Sequence, residues 1–349
     1  MSFSERLLDS WYRQRLTPLT AALAPLSLMF RIGVAARRAL FRAGVPQPQR
    51  LPVPVVVVGN ITVGGSGKTP LTIALATELA ARGWQPGIVS RGYGASAVHA
   101  RAVARDASAK DVGDEPLLLA RTGLPVWIGA DRAAAARGLL AAHPQCNVIV
   151  TDDGLQHYAL ARDVEIAVID ASRELGNGWS LPAGPLREPA SRLDAVDAIV
   201  RLARSPRAAT PREFTMTLAG ERFVRVNAPE VRTNADAFRN ADVHALAGIG
   251  NPQRFFEQLR SLGIAATCHA FPDHHRFTPR ELALPAASAI LMTEKDAVKC
   301  ASFADDRCWA LPVRAMIDPA LVSLIEEKLR GSKIARDTGV SGDQGPARA

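Results

Sequence analysis

Hydrophobic positions fall into two periods along this chain. Short unbroken β-branched runs alternate with stretches where leucine returns every third or fourth residue. Val53-Pro54-Val55-Val56-Val57-Val58 is the first such run, and its lack of polar alternation predicts a strand buried on both faces. Glycines follow it. Leu71, Leu75 and Leu79 then stand four apart, which predicts a helix over Pro70–Leu79 that Gly83 ends. Further strands are expected at Gly87–Ser90, Val126–Ile128, Asn147–Thr151 and Val164–Asp170, with a helix around Glu115–Ala120. Strands and helices alternating in this way imply a parallel sheet covered on both faces.

The rhythm breaks near residues 205–230. Phe214–Leu218 and Arg222–Val226, separated by Ala219-Gly220, predict a β-hairpin. Beyond it a strand is expected at Val243–Ala247, a turn at Gly248–Pro252, a helix at Gln253–Leu262 and a strand at Ala289–Met292. A chain of 349 residues is long for one compact domain. The expected organisation is an α/β lobe over residues 46–210, a hairpin linker over 211–230 and a smaller α/β lobe over 231–330. The active site should lie in the cleft between the lobes. Residues 1–45 form a separate helical segment, and 331–349 read as a frayed tail.

Charge changes the picture at the N-terminus. Residues 1–50 carry Arg6, Arg13, Arg15, Arg31, Arg37, Arg38, Arg42 and Arg50 against Glu5 and Asp9, which is +6 of the chain's net +8. A nucleic-acid enzyme would more often spread its positive charge over a working face, so no nucleic-acid partner is expected. Charge alone leaves two readings open, an anionic membrane surface or a solvated arginine-rich helix. Leu16, Leu19, Leu23, Leu26 and Phe30 recur at helical spacing, and no charge interrupts Leu16–Phe30. That run is shorter than the ~20 residues of a membrane span, and Pro18 and Pro25 interrupt it. An amphipathic helix in the interface, flanked by snorkelling arginines, is the expectation, with packing on the protein's own core as the alternative. Cys146, Cys268, Cys300 and Cys308 form no CxxC pair and read as buried thiols of a reducing cytosol.

The candidate chemistry begins after the first strand. Gly59 through Thr69, Gly-Asn-Ile-Thr-Val-Gly-Gly-Ser-Gly-Lys-Thr, joins strand to helix, the context a phosphate-binding P-loop needs. Thr62, Val63, Gly64, Gly65, Ser66 and Gly67 would turn backbone N–H groups toward phosphate oxygens, and the helix N-terminus adds its dipole. Lys68 can reach the β/γ-phosphates of ATP, and the Thr69 hydroxyl can bind Mg²⁺. Thr62 stands where the common pattern has glycine.

Asp152 and Asp153 end a buried strand, where an acid serves as the second Mg²⁺ ligand. Asp114 in Gly-Asp-Glu-Pro precedes a helix and reads locally as its cap. His274 and His275 beside Asp273 offer acid–base groups or metal ligands, although loop histidines are more often neither. Arg187 and Glu188 lie in the turn Gly184-Pro185-Leu186-Arg187-Glu188-Pro189. Thr293-Glu294-Lys295-Asp296 has the wrong order for a guanine-reading motif, and Asp152-Asp153-Gly154 lacks the spacing of a GTPase switch.

Together these motifs resemble the tetraacyldisaccharide 4'-kinase family of lipid A biosynthesis. The matching segments are residues 57–70, Ser90-Arg91-Gly92-Tyr93-Gly94, Gly113–Pro116, Asp152-Asp153-Gly154-Leu155-Gln156-His157, Gly184–Pro189, Phe271–His275 and Thr293-Glu294-Lys295-Asp296-Ala297-Val298-Lys299. They stand in family order over about residues 5–330, and the threonine at 62 is a family trait. The resemblance implies transfer of the ATP γ-phosphate to the 4'-hydroxyl of an acylated glucosamine disaccharide 1-phosphate, at the cytoplasmic face of the bacterial inner membrane. It implies Asp114 as catalytic base paired with His274, Lys68 and Thr69 on phosphate and Mg²⁺, Asp152 and Asp153 as metal acids, and Arg187 and Glu188 near the nucleotide. It thus assigns the chain a P-loop NTPase-type parallel sheet domain and a second, smaller α/β domain.

Two other function classes are possible on the motifs. A nucleotide-switch NTPase of the metal-chaperone type would need switch motifs and usually a Cys or His cluster, and neither is evident. A membrane-binding module without catalysis would have no use for an intact Lys68, Thr69, Asp114, Asp152 and Asp153.

Overall fold

Val55, Val56, Val57 and Val58 are buried on every side, as an unbroken β-branched run requires. The computed structural model describes residues 3–13, 15–93, 99–205 and 210–337. In chain order it begins with α1 (Phe3–Trp11), α2 (Pro18–Ala22) and α3 (Ala24–Arg42). The first lobe follows as β1 (Val55–Gly59), α4 (Lys68–Ala81), β2 (Pro86–Ser90), β3 (Arg101–Ala102), α5 (Ala109–Val112), α6 (Asp114–Ala120), β4 (Val126–Ile128), α7 (Arg132–Ala142), β5 (Val148–Thr151), β6 (Val164–Asp170), β7 (Ala198–Leu202) and β8 (Glu213–Ala219). The chain continues through β9 (Arg222–Arg225), β10 (Arg232–Asn234), β11 (Val243–Ala247), α8 (Pro252–Ser261), β12 (Thr267–Ala270), α9 (Pro279–Leu282), β13 (Ala289–Thr293), α10 (Glu294–Cys300), β14 (Cys308–Leu311), β15 (Arg314–Ile317) and α11 (Pro319–Asp337).

The first sheet has nine strands in the order β15-β8-β7-β6-β1-β5-β2-β4-β3. β1 lies between β5 and β6 and runs parallel to both, with Val57 opposite Thr151 on one side and Glu165 on the other. Alternate residues of β1 enter two cores, Val56 and Val58 on one face, Val55 and Val57 on the other. Leu71, Leu75 and Leu79 of α4 close the first of these. The carboxyl ends of β1, β5 and β6 therefore emerge side by side, carrying the P-loop, Asp152-Asp153 and Asp170. The second sheet has six strands, β10-β9-β14-β13-β11-β12.

The expected hairpin is not there. β8 pairs with β7 and β15 in the first sheet, whereas β9 pairs with β10 and β14 in the second. The segment 213–225 runs from one sheet into the other, and its antiparallel partner is the returning segment 308–317. Gly220 stands at the crossing, where a Cβ would lie 2.4 Å from Pro312 O. The glycine there permits close approach of a second backbone, not a chain reversal. Local alternation is the same for a hairpin arm and for a strand paired to distant chain.

Other expectations need adjusting. β15 and α11 return to the first lobe, so residue 330 is not the end of the second lobe in space. Helix α11 covers 331–337 of the expected tail, and 338–349 lie outside the described residues, as does Gly94. At the N-terminus the two prolines begin helices rather than interrupt one, each sitting in a first helical turn. Cys268 is exposed on β12, while the other three thiols are buried. Among the described residues no helix is long and apolar enough to cross a membrane.

Candidate active site

The P-loop is fixed from behind. Asn60 Nδ2 donates to Ser66 Oγ across the loop at 2.9 Å. Val63 N–H donates to Pro185 O at 2.8 Å, and Thr62 bridges to Leu186. The loop is therefore laid against the turn that carries Arg187. α4 begins at Lys68, so its unpaired N–H groups and dipole face the loop. Gly250 of the second lobe presses on the loop from the front, and a Cβ there would meet Gly65 N at 1.9 Å.

Thr69 Oγ1 donates to Asp152 Oδ2 at 2.9 Å, and Thr72 Oγ1 to Oδ1 at 3.2 Å. Asp152 is completely buried. Burial, with the charges of Glu115 and Asp153, pushes its pKa up to about 7 against the pull of Lys68 and Thr69. Such a carboxylate is short of positive charge. Asp153 is half-buried. Burial raises its pKa, but Lys68, Arg187 and Arg132 outweigh this and hold it well below the usual range. Arg187 meets both its oxygens at 3.1 Å, Lys68 Nζ stands 3.8 Å away, and Arg132 donates to its carbonyl at 2.6 Å.

Asp114 is the first residue of α6, and Gly113 takes the cap position. Its Oδ1 accepts the Glu115 N–H at 2.9 Å. Its Oδ2 points across the cleft to His274 Nδ1 at 3.2 Å. Lys299 and Lys295 stand 3.6 and 3.8 Å from the same oxygen. Burial raises the Asp114 pKa, but the His274 bond and these cations hold it at about 2. Lys295 also reaches Glu115 at 3.0 Å and Asp273 at 3.3 Å. The ring of Tyr93 packs on His274 with centroids 4.7 Å apart.

Residues 19–330 match the family described as tetraacyldisaccharide-1-P 4'-kinase. The chain belongs to that kinase family. It is 51% identical over 331 residues to the tetraacyldisaccharide 4'-kinase of Dechloromonas aromatica, covering 93% of this chain and 97% of that protein. It is 52% identical over 325 residues to that of an Azoarcus strain, covering 92% and 95%. Among solved structures, LpxK of Aquifex aeolicus in complex with ATP superposes with a TM-score of 0.74 at 28% identity, over 89% of this chain and 99% of that one.

The structure of this kinase brings Lys68, Thr69, Asp152, Asp153 and Arg187 together on the first lobe, and Asp114 to His274 across the cleft. Glu188 sits apart from them. It is buried, accepts from Gln156 at 2.9 Å and from the Tyr158 hydroxyl, and lies 3.8 Å from Arg192. Gln156 in turn donates to Asn60 O at 2.9 Å, so Glu188 braces the P-loop and the Arg187 turn. His275 bonds Glu281 at 2.5 Å and lies between Phe271 and Phe277. Sequence reasoning gave no role to Arg132, Gln156, Lys295 or Lys299. The two lysines did leave a signal, standing four apart after a buried strand in a chain that prefers arginine.

Proposed function

We propose that this kinase transfers the γ-phosphate of ATP to the 4'-hydroxyl of an acylated glucosamine disaccharide 1-phosphate, working peripherally at the cytoplasmic face of the inner membrane. The observation that carries this reading is the Asp114–His274 pair, which joins the start of α6 to the loop after β12. Asp114 takes the proton of the attacking hydroxyl, and His274 fixes the carboxylate. A base this acidic suits phosphoryl transfer, whose transition state is loose, so the hydroxyl needs to lose its proton only late. Lys68 and Arg187 neutralise phosphate charge. Thr62 to Thr69 supply the backbone cradle.

Mg²⁺ fits the residues present. Thr69 and Asp152 are hard oxygen donors 2.9 Å apart, and the buried carboxylate lacks compensating charge. Asp153 stands beside them. Among the described residues no three His, Cys, Asp or Glu groups gather to hold a metal, which suits an ion completed by substrate phosphates and water. When bound, it would neutralise charge on the β- and γ-phosphate oxygens.

The N-terminal helices supply the membrane contact. Leu26, Leu28, Met29 and Ile32 are exposed on α3, with Ile32 62% exposed. A shallow groove of about 310 Å³ on α3 runs to Pro189, lined by Leu28, Ile32, Val34 and Ala35 with Arg31 and Arg38 at its edge. Apolar surface beside arginines suits anionic lipid. Arg132, Arg91, Arg162 and Arg37 add positive potential around His157 and Asp153, where a phosphorylated sugar would be attracted.

The test is transfer of label from γ-labelled ATP to an acylated disaccharide 1-phosphate in detergent micelles. Labelled lipid is expected with the wild type and not with Lys68→Ala. ATP hydrolysis without labelled lipid would overturn the reading in favour of a nucleotide switch.

A further inference from the structure

The mechanism above uses nothing from α1 or from the segment after β6, yet two side chains there reach the P-loop. Tyr12 follows α1 and places its hydroxyl 3.4 Å from Val63 O. Arg173 follows β6 and lies over the Tyr12 ring, its guanidinium carbon 4.7 Å from the centroid. The same guanidinium donates to Gly250 O of the second lobe. It also stands 3.9 Å from where a side chain on Gly64 would begin. Tyr12 and Arg173 thus line a small cleft with Thr62–Ser66 and Asp170.

Both ends of this arrangement are fixed. Trp11 is buried, its indole N–H donates to Pro182 O at 2.9 Å, and its carbonyl accepts from Asn177 N–H at 2.7 Å. Ser27 of α3, also buried, donates to Ser180 O at 2.6 Å. The N-terminal helices are therefore tied to the same 176–186 segment whose Pro185 holds Val63. On the far side Asn251, next to Gly250, donates to Asp170 Oδ2 at 3.0 Å, and Arg254 pairs with the same carboxylate. Arg173 meets the Tyr12 ring and hydroxyl and the Gly250 carbonyl, all neutral groups, so its charge also adds to the loop's positive potential.

A glycine-rich loop binds phosphate tightly only if its N–H groups are already aligned, since ordering them on binding costs affinity. We propose that Tyr12 and Arg173 are positioning residues that clamp the P-loop between the N-terminal helices and the second lobe, and so set how tightly nucleotide is held. This rests on the nucleotide reading of residues 62–69.

Calorimetric binding of a non-hydrolysable ATP analogue with Mg²⁺ to the full chain tests it, alongside Tm and the lipid KM. Tyr12→Leu and Arg173→Met should each weaken binding about three- to ten-fold, the scale of a partly desolvated cation–π contact. Tyr12→Phe, which keeps the ring beneath Arg173 but loses the hydroxyl contact with Val63 O, should recover part of what Tyr12→Leu loses. The double variant should be no weaker than the worse single, because the two act as one unit. Tm and lipid KM should stay near wild type. Unchanged nucleotide affinity in both singles would overturn the proposal, as would fully additive losses or a parallel rise in lipid KM. A wild type that binds nucleotide but phosphorylates no lipid would overturn the proposed function and leave this clamp standing.

Discussion

Asp114 Oδ2 lies 3.2 Å from His274 Nδ1, although the residues are 160 positions apart and belong to different lobes. Neither lobe holds the pair alone. The first contributes the carboxylate from the start of α6. The second contributes His274 from the loop after β12, and Lys295 and Lys299 from α10. Proton abstraction is thereby tied to contact between the lobes.

Asp114→Asn should lower kcat by about 10²–10⁴-fold, the usual worth of a positioned base. Nucleotide affinity should stay near wild type, because Asp114 touches no P-loop group. Single-turnover transfer measured beside nucleotide binding checks this. Normal turnover in the variant would remove Asp114 from the proton-transfer role.

Much of the frame that carries this site was legible in the sequence. β1 and β5 are unbroken apolar runs and β6 is broken only by Glu165 before its final Asp170, so their period needs no partner to be read. Lys68 and Thr69 open the helix after β1, and Asp152 follows β5 directly. Asp114 was different. Its neighbours make it look like a helix cap, and only family resemblance linked it to His274. The misread hairpin has the same origin, since the partner of 213–225 is 308–317 and no local pattern names it. Tyr12 and Arg173 were silent for that reason too, and the spacing of Lys295 and Lys299 hinted at a site without naming its partner, as all four roles exist only after the chain has closed.

Two buried groups, His157 and Asp114, should each lose their contribution to stability in acid. Burial, then the charges of Arg132, Arg162 and Arg37, lower the His157 pKa from 6.5 to about 4. The fold therefore prefers the neutral ring. That contribution is complete above about pH 6.5 and is lost as pH falls through about 4. Asp114 follows, its contribution present above its ordinary 3.8 and lost as pH falls through about 2. Asp152 works the other way, because a carboxyl raised to about 7 gains stability as pH falls from there toward 3.8. The readout is therefore a difference: the Tm of wild type relative to His157→Gln, measured from pH 8 to 3, should fall between 6.5 and 4. Parallel curves for the two proteins would exclude His157 as the source.

Ile32→Glu should weaken binding to vesicles containing anionic phospholipid without changing Tm. The side chain is 62% exposed, so the folded protein loses little packing, while a carboxylate enters apolar lipid at a cost. Vesicle co-sedimentation and calorimetry measure the two effects. Undiminished vesicle binding would mean that this face of α3 does not enter the interface.

Gly250→Ala tests whether the lobes meet as described. An added Cβ would lie 1.9 Å from Gly65 N and 2.7 Å from Gly65 Cα, both backbone atoms with little room to yield. Overpacking of this kind costs about 1–3 kcal/mol, which is roughly 5- to 150-fold in an equilibrium. Here the clash falls between lobes, and each lobe keeps its own core. Tm should therefore change little, whereas KM for ATP should rise as the second lobe is pushed off the P-loop and its Gly250 contact with Arg173 is stretched. Because His274 retreats with that lobe, kcat should fall as well. A variant with normal KM and kcat would show that turnover does not need Gly250 seated on Gly65.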